Sequence, residues 1–560
     1  MKTDVSGWQL QWDAARAREW WADGRWPRRT VAAALRDMAE REPDRVTQVC
    51  GGTPVTAGAV WSQARALASY LQASGFRPGD VLAFQTPNWH EAAVIDVAAC
   101  LLGVVVCPIV TIYRDKEVEL ILADSRAKGI FIAPEFRGWD HAAMLERLRP
   151  HLPDLAHVWT VRGPHGSGRD LRELVANAPP PAPLPAVFTQ AVKLVLYTSG
   201  TTGRPKAVLH THDTLIRATL MCARHWGLKA GDTTLMPSPL THVTGFSHGI
   251  EMPFYVGTRC VLMERWDAAR AADIIEQEGV CFTIGATPFL QELMDVAERE
   301  RRRLPSLRLF PCGGAAVAPE VIHRVSRVLP GCTAFRVYGS SEAPMITLGF
   351  SRPDQARLAA ETDGEVVDYE VRVLDPAGHP LPPGGEGEIC ARGPSLFVGY
   401  VDPQQTREAF DEDGFFHTGD VGYLTPDNAV VFTGRIKDLI NRGGEKISAK
   451  EVEDLLHQHP SVTGAAVVAM PHARLGETVC AFLILRADAP QETSGIEAML
   501  AAAGVARQKL PEHYFLVGEF PTTASGKVRK DVLRAQAREG APPLHSQPPA
   551  RMADSGDVRA

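Results

Sequence analysis

The sequence predicts an α/β protein with a large N-terminal region, a small β region inserted late in it, and a compact α+β domain at the C-terminal end. Three observations carry this. Through roughly the first 360 residues, short β-branched runs alternate with helix-length segments, the pattern of parallel sheet with crossover helices. From about Gly364 the texture changes to short runs punctuated by Gly and Pro (DPAGHPLPPGGEGEI), as in a small, mostly antiparallel sheet. Beyond a boundary near Gly434–Asp438, helix and strand patterns alternate over about 100 residues, enough to fold alone. A length of 560 residues also sets a soft expectation of three or four domains.

The elements follow in order. Val31–Arg41 and Ala59–Ser74 read as helices, and Val81–Gln85, Val104–Ile109 and Gly129–Ala133 as strands. The long apolar run Ala92–Val110 contains Asp96, Gly103 and Pro108, so it fits a buried helix followed by a strand better than a membrane span. The Pro-rich segment Asn177–Ala186 is a surface linker. After it come a strand at Leu194–Tyr197, another at Ala207–His210, a helix over Thr211–Trp226, and strands at Thr234–Met236 and Cys260–Met263. Asp267–Glu278 is helical and Val280–Ile284 a strand. In the C-terminal domain, Ala449–Gln458 and Ile496–Ala503 are helices, and Gly464–Met470 and Val479–Leu485 strands. The tail from Glu539 is rich in Ala, Pro and polar residues, a composition expected to be disordered.

Apolar residues make up 45% and charged residues 22% of the chain, ordinary values for a folded enzyme. A net charge of −7 without a basic block points away from nucleic acid and anionic membranes. The ten cysteines are scattered, without CxxC pairs or metal-ligand spacing, and no secretory segment opens the chain. They read as reduced core residues, and the expected location is cytoplasmic, without stable membrane insertion.

One stretch stands out: Thr198–Lys206, TSGTTGRPK, directly after a buried apolar strand. Gly200 and Gly203 allow a tight turn that brings backbone N–H groups close to an anion. Thr198, Ser199, Thr201 and Thr202 offer hydroxyls, and Arg204 and Lys206 positive charge. Pro205 keeps Arg204 extended, so the loop leaves into a second strand. Ser, Thr and Gly also dominate ordinary turns, but two cations beside four hydroxyls favour a polyphosphate cradle. It is not the common nucleotide loop, because Ala207 follows Lys206 where that motif needs Ser or Thr.

Here the sequence resembles the adenylate-forming (AMP-binding) superfamily of acyl-CoA synthetases, aryl-acid ligases, luciferases and peptide-synthetase adenylation domains. The resemblance implies two sheet-and-helix subdomains and a small distorted β subdomain over residues 1–434, a hinge at 435–438, a mobile α+β domain at 439–538, and the tail at 539–560. It also assigns roles residue by residue. Tyr338, Gly339, Ser340, Ser341 and Glu342 (YGSSE) match the motif beside adenine, with Glu342 and Thr198 on magnesium. A hard carboxylate oxygen suits that ion. Gly313, Gly314 and Ala315 match the small-residue segment against the adenine and acyl sites. Asp420, in TGD, matches the ribose carboxylate, which can accept from both sugar hydroxyls, and Arg435 lies in the same ribose region. Lys437 stands at the hinge, with Gly443 and Gly444 in the loop that approaches the pantetheine arm. Lys527, in PTTASGKVRK, matches the catalytic lysine that neutralises charge in the transition state. His242, in PLTHVTGF, matches a gate between the acyl pocket and the CoA tunnel. Each motif alone is ordinary: a turn, a solvated Lys, a hydrogen-bonded loop His. Five of them in family order across Thr198–Lys530 are not.

The implied activity is an ATP-dependent acyl-CoA synthetase using ATP, Mg²⁺ and coenzyme A. The carboxylic acid is converted to acyl-AMP with release of pyrophosphate, then to the CoA thioester. The stretches Pro87–Ile95, Ile112–Leu122 and Glu135–Met144 are similar to bacterial short- and medium-chain fatty acid and cyclohexanecarboxylate CoA ligases. INRGGEKIS is similar to ligases for dihydroxybenzoate. Apolar or small pocket candidates (Val243–Gly249, Gly285–Phe289, Gly313–Val317) lead to a hydrophobic monoacid, aliphatic or alicyclic ahead of aryl. Two rivals stay open: loading of a carrier-protein phosphopantetheine, and a nucleotide-binding regulator that has lost catalysis. A homodimer is neither required nor excluded.

Overall fold

A computed structural model describes residues 1–163, 169–198, 205–314, 317–443, 445–502, 506–523 and 527–539. Two large sheets form the N-terminal region. The six-stranded sheet runs in the order His157–Thr160, Ala127–Ile132, Val81–Gln85, Val105–Pro108, Val192–Thr198 and Lys206–Thr211. Its pairs are parallel except the last, which is antiparallel. The seven-stranded sheet runs Thr333–Val337, Leu309–Gly313, Phe282–Thr283, Thr233–Met236, Arg259–Leu262, Val46–Cys50 and Thr53–Thr56. It too is parallel until its closing hairpin.

Side-chain alternation along the strands builds the layers. On Val81–Gln85, Leu82 and Phe84 face one core while Val81 and Ala83 face another. The first of these cores also contains Cys260, Leu262 and Phe335 of the seven-stranded sheet, together with the helices Val31–Arg41, Ala57–Ala73, Glu91–Leu102 and His212–His225. Those helices therefore lie between the sheets, and Glu91–Leu102 is apolar nearly all round because it is covered on both sides. The outer faces are covered by Asp115–Asp124 and His141–Leu148 on one sheet, and by Ala268–Glu278, Thr287–Glu300 and Pro319–Val328 on the other. Because both sheets share one core, the length-based expectation of three or four domains reduces to two compact units. The first comprises Met1–Thr418, Gly422–Phe432 and Lys527, and the second Gly419–Val421, Thr433–Thr523 and the chain from Val528.

The small β region is a four-stranded sheet of Glu370–Leu374, Gly387–Arg392, Phe416–Leu424 and Val430–Arg435. In the second unit, Glu445–Ser448, Leu439–Arg442, Gly476–Leu485 and Val462–His472 form a sheet in that order, with His513–Leu516 paired parallel to Gly476–Leu485. The helices Ala449–Leu456 and Ser494–Ala502 pack on one face and Lys530–Glu539 on the other.

The sequence reading needs three corrections. The strand expected at Val280–Ile284 pairs only at Phe282–Thr283, because the chain turns at Gly285 into the helix Thr287–Glu300. The hairpin Val46–Thr56 was missed; its first strand pairs with Arg259–Leu262, far along the chain. The helix Lys530–Glu539 was not anticipated, and the expected tail beyond it, 540–560, lies outside the described residues. All ten cysteines are buried and unbonded, as expected of core residues. Burial pushes the Cys107 thiol up to about 12. Among the described residues no helix is long and apolar enough to cross a membrane.

Candidate active site

The C-terminal ends of the parallel strands gather most of the predicted residues of the first unit, where open α/β sheets bind ligands. Thr198 and Lys206 face each other across the antiparallel pair that flanks residues 199–205, and the Thr198 hydroxyl donates to the Lys206 carbonyl over 3.4 Å. Ser199, Gly200, Thr201, Thr202 and Gly203 lie outside the described residues, as do Ala315 and Gly444. The Lys206 ammonium sits 4.9 Å from the ring centre of Tyr400. That phenol donates a 2.9 Å hydrogen bond to Glu342 Oε1. Tyr400 is almost fully buried, so the carboxylate rests on a rigid support, and burial beside Glu342 holds the phenol well above its usual range.

The segment Tyr338–Glu342 leaves the end of strand Thr333–Val337 and is held from several sides. Tyr338 N donates to Thr347 Oγ1 (2.8 Å), and Ser340 Oγ accepts from Ala343 N (3.1 Å). His210 Nε2 donates to the Ser341 carbonyl (2.7 Å). Burial lowers the His210 pKa to about 4, so the ring is a fixed neutral strut, with Nδ1 accepting from Thr214. A side chain at Gly339 would lie 2.5 Å from Met345 N, and one at Gly313 would lie 2.5 Å from the Val337 carbonyl. Both glycines are required by close backbone approach. The Tyr338 and Phe432 rings stack at 6.0 Å with 23° between planes, offering aromatic surface suited to a purine.

Gly313, Gly339, Ser340 and Ser341 border a cleft. Its walls also include Gly314, Ala218, Cys222, Ile284, Val337 and Met345. His242, His248 and Lys527 also line it, and Lys527 Cε is 3.5 Å from where a side chain at Gly314 would begin. His242 caps the short helix Val243–Gly245, accepting from Thr244 N at Nδ1 (3.4 Å). Desolvation, reinforced by the Lys527 charge, takes its pKa down to about 4. A single π-helical turn, Phe246–Glu251, follows, a distortion frequent at functional sites. Within it, His248 Nδ1 donates to the Thr244 carbonyl (2.9 Å), and burial again lowers the pKa to about 4. Apart from Lys527, no described residue lining the cleft carries a charge.

The second unit holds the remaining predicted residues. Asp420 is buried, with Oδ1 3.0 Å from Arg435 Nε. A buried carboxylate oriented by a guanidinium suits vicinal hydroxyls. Lys437 is exposed in a 3₁₀ turn, Ile436–Asp438. Gly443 adopts a left-handed φ of +63° and its N–H donates to the Leu475 carbonyl (2.8 Å).

Sequence reasoning missed His210, Tyr400 and Phe432, which act through tertiary contacts that no local spacing signals. It also missed the approach of Glu388, Cys390 and His417 to within 4.8 Å of one another. There the 2.9 Å hydrogen bond between His417 Nδ1 and Glu388 accounts for the geometry.

The supported carboxylate, the aromatic stack and the mostly apolar cleft bordered by Lys527 are an arrangement compatible with a nucleotide-dependent enzyme. Comparison with known proteins agrees. The family model described as AMP-binding enzyme matches residues 35–401, and the AMP-binding enzyme C-terminal domain matches 451–527. The chain belongs to the AMP-binding enzyme family, within its AMP-forming acid–thiol ligases. It is 35% identical over 520 residues to a medium-chain fatty-acid–CoA ligase of Escherichia coli, covering 91% of each chain. It is 32% identical over 532 residues to a 2,3-dihydroxybenzoate-AMP ligase of Bacillus subtilis, covering 94% of this chain and 97% of the relative. The crystal structure of ATP-bound MatB from Rhodopseudomonas palustris superposes with a TM-score of 0.81 at 27% identity, covering 91% of this chain and 99% of the other. The family's ATP, Mg²⁺ and coenzyme A are this protein's cofactors.

Proposed function

We propose that the protein is an ATP-dependent acyl-CoA synthetase for a hydrophobic monocarboxylic acid, aliphatic or alicyclic ahead of aryl. The observation that carries the choice of acid is the lining of the cleft: mostly apolar or small residues, two imidazoles that stay neutral, and Lys527 as the one charged group among the described residues. A second carboxylate buried there would have no described cation to pair with, a costly arrangement. The similarity to the fatty-acid ligase points the same way.

In this reading a carboxylate oxygen attacks the α-phosphorus of ATP, forming the acyl–phosphate bond as pyrophosphate leaves. Thr198, Lys206 and the loop between them hold the phosphates, and Lys527 offsets the charge shared by carboxylate and α-phosphate. Tyr338, Phe432, Gly313 and Gly314 receive the adenine, and Asp420 with Arg435 the ribose. Glu342, a hard oxygen donor fixed by Tyr400, fits Mg²⁺ with Thr198 as a second ligand, and the bound ion supplies neutralisation of phosphate charge. In the second half-reaction the C-terminal domain turns about the hinge at Lys437 and the loop at Gly443 and Gly444 approaches the pantetheine. The thiol sulfur then attacks the acyl carbonyl, AMP leaves, and the thiol proton passes to solvent. His242 stands as the gate between acid and thiol. A second reading changes only the acceptor, to a carrier-protein phosphopantetheine. Similarity to the dihydroxybenzoate-AMP ligase favours it.

The test is pyrophosphate release with Mg-ATP across a panel of carboxylic acids, with and without CoA. Multiple turnover that needs both a hydrophobic acid and CoA supports the proposal. A single burst unaffected by CoA selects the carrier-protein acceptor, and preference for a diacid refutes the reading of the pocket.

A further inference from the structure

Asn88 lies in the stretch Pro87–Ile95 but carries none of the site roles described above, and its side chain makes four hydrogen bonds to backbone groups. It follows the strand Val81–Gln85 of the six-stranded sheet and is buried. Its Nδ2 donates to the carbonyls of Ser238 (2.9 Å), Met263 (3.0 Å) and Met236 (3.3 Å). Its Oδ1 accepts from Leu240 N (2.8 Å). Met236 ends one strand of the seven-stranded sheet and Met263 follows its neighbour. One amide thus ties the end of the first sheet to two adjacent strand ends of the second and to the irregular segment after them.

That segment forms part of the cleft. Ser238 and Pro239 line it. The Pro239 carbonyl accepts from His242 N (3.0 Å), and the His242 carbonyl accepts from Phe246 N (2.8 Å) at the start of the π turn. The packing leaves no slack: a side chain on Gly245 would lie 2.0 Å from the Pro239 carbonyl. A shift of Ser238–Leu240 therefore passes to His242 and the residues after it. With Asn88 removed, the Leu240 N–H and up to three carbonyls lose a buried partner, and the backbone must move to find others.

We propose that Asn88 is a positioning residue for the acid-binding wall of the cleft, holding Ser238–His242 in register with the reacting groups. The assignment rests on reading the cleft as the acid site. It predicts that Asn88 governs how the acid is held and leaves nucleotide binding alone, because none of its four partners belongs to the nucleotide-side segments. A displacement of about 1 Å near reacting atoms costs up to about 10²-fold in rate.

The experiment compares Asn88→Ala, Asn88→Asp and Asn88→Ser with the parent protein, reading thermal unfolding, KM for ATP, and KM and kcat for each acid of the panel. Asn88→Asp keeps the shape and the acceptor for Leu240 N but faces carbonyls without a donor. Asn88→Ser keeps one donor. The expected result is an acid KM raised about tenfold or more in the Ala and Asp variants, an altered ranking of acids, and an ATP KM within about twofold of the parent. Unchanged acid KM and ranking in folded variants would overturn the assignment, as would a parallel rise in the KM values of acid and ATP. Failure of all three variants to fold would make Asn88 a purely structural residue and overturn it too. Absence of pyrophosphate release by the parent with every acid would instead overturn the reading of the cleft, and this assignment with it.

Discussion

Replacing Lys193 by methionine tests the physics of the buried core beneath the cleft. Lys193, Asp96 and Glu251 come from the six-stranded sheet, the helix between the sheets, and the π turn that follows His242. All three are essentially inaccessible to water, and the Lys193 ammonium pairs with Asp96 Oδ2 at 3.1 Å and with Glu251 Oε1. Asp96 Oδ1 and Glu251 Oε2 have no hydrogen-bond partner among the described residues. Burial raises both carboxyl pKa values against the pull of Lys193. Burial also works against the ammonium, but the charges of Asp96 and Glu251 outweigh it and hold Lys193 above its usual value. Two carboxyls share one cation in a site closed to water, an arrangement that favours a proton on one of them. In Lys193→Met both must carry one.

The magnitude follows from linkage. Keeping a carboxyl of unfolded pKa about 3.9 neutral at pH 7 costs roughly 4 kcal/mol, at about 1.4 kcal/mol per pH unit. The sign is set by the raised folded pKa: such a group contributes stability that is fully present below its unfolded value and is lost as pH rises. Lys193→Met should therefore be less stable than the parent by about 4 kcal/mol near pH 7, and by about 2 kcal/mol near pH 5.5. Urea unfolding followed by tryptophan fluorescence at pH 5.5, 6.5 and 7.5 measures the difference. Adding Asp96→Asn and Glu251→Gln should remove its pH dependence. A deficit that is constant with pH, or that grows on acidification, would refute the shared-proton reasoning.

Three further outcomes concern the chemistry. Lys527→Ala should abolish acyl-AMP formation yet spare thioester formation from supplied acyl-AMP; equal loss of both steps would remove the assigned role. Tyr400→Phe deletes a hydrogen bond to a charged group, worth about 1.5–3 kcal/mol. It should raise the Mg²⁺ concentration for half-maximal activity about tenfold or more, and an unchanged Mg²⁺ titration would show that Glu342 needs no such support. With its pKa near 4, His242 is neutral throughout the working range. No titration of this ring should appear in the pH–rate profile between pH 6 and 8, and a step there that disappears in His242→Asn would contradict the burial argument.

What could be read from the sequence divides along physical lines. Helices and parallel strands whose apolar pattern repeats within a dozen residues were placed to within a few positions, as at Val31–Arg41 and Val81–Gln85. Burial there is decided locally. The sharing of one core by two sheets was not visible, because it depends on which apolar face meets which, and alternation along one strand cannot name its partner. The strand Val46–Cys50 shows this: its pattern is short, and its neighbour Arg259–Leu262 lies some 200 residues away. The site divides in the same way. Phosphate-loop, carboxylate and lysine motifs are legible because a reacting group needs a particular chemistry at a particular place in the chain. Supporting residues are chosen only for reach. Tyr400 touches a carboxylate 58 positions away, His210 a carbonyl 131 away, and Asn88 a carbonyl 150 away. An Asn after Pro reads as a turn, and a Tyr after Gly as the end of a strand. Each becomes functional only when the fold brings a backbone group or a carboxylate within about 3 Å of it. The residues that hold a site in place therefore have to be sought at the C-terminal ends of the strands, where sheets from distant parts of the chain meet.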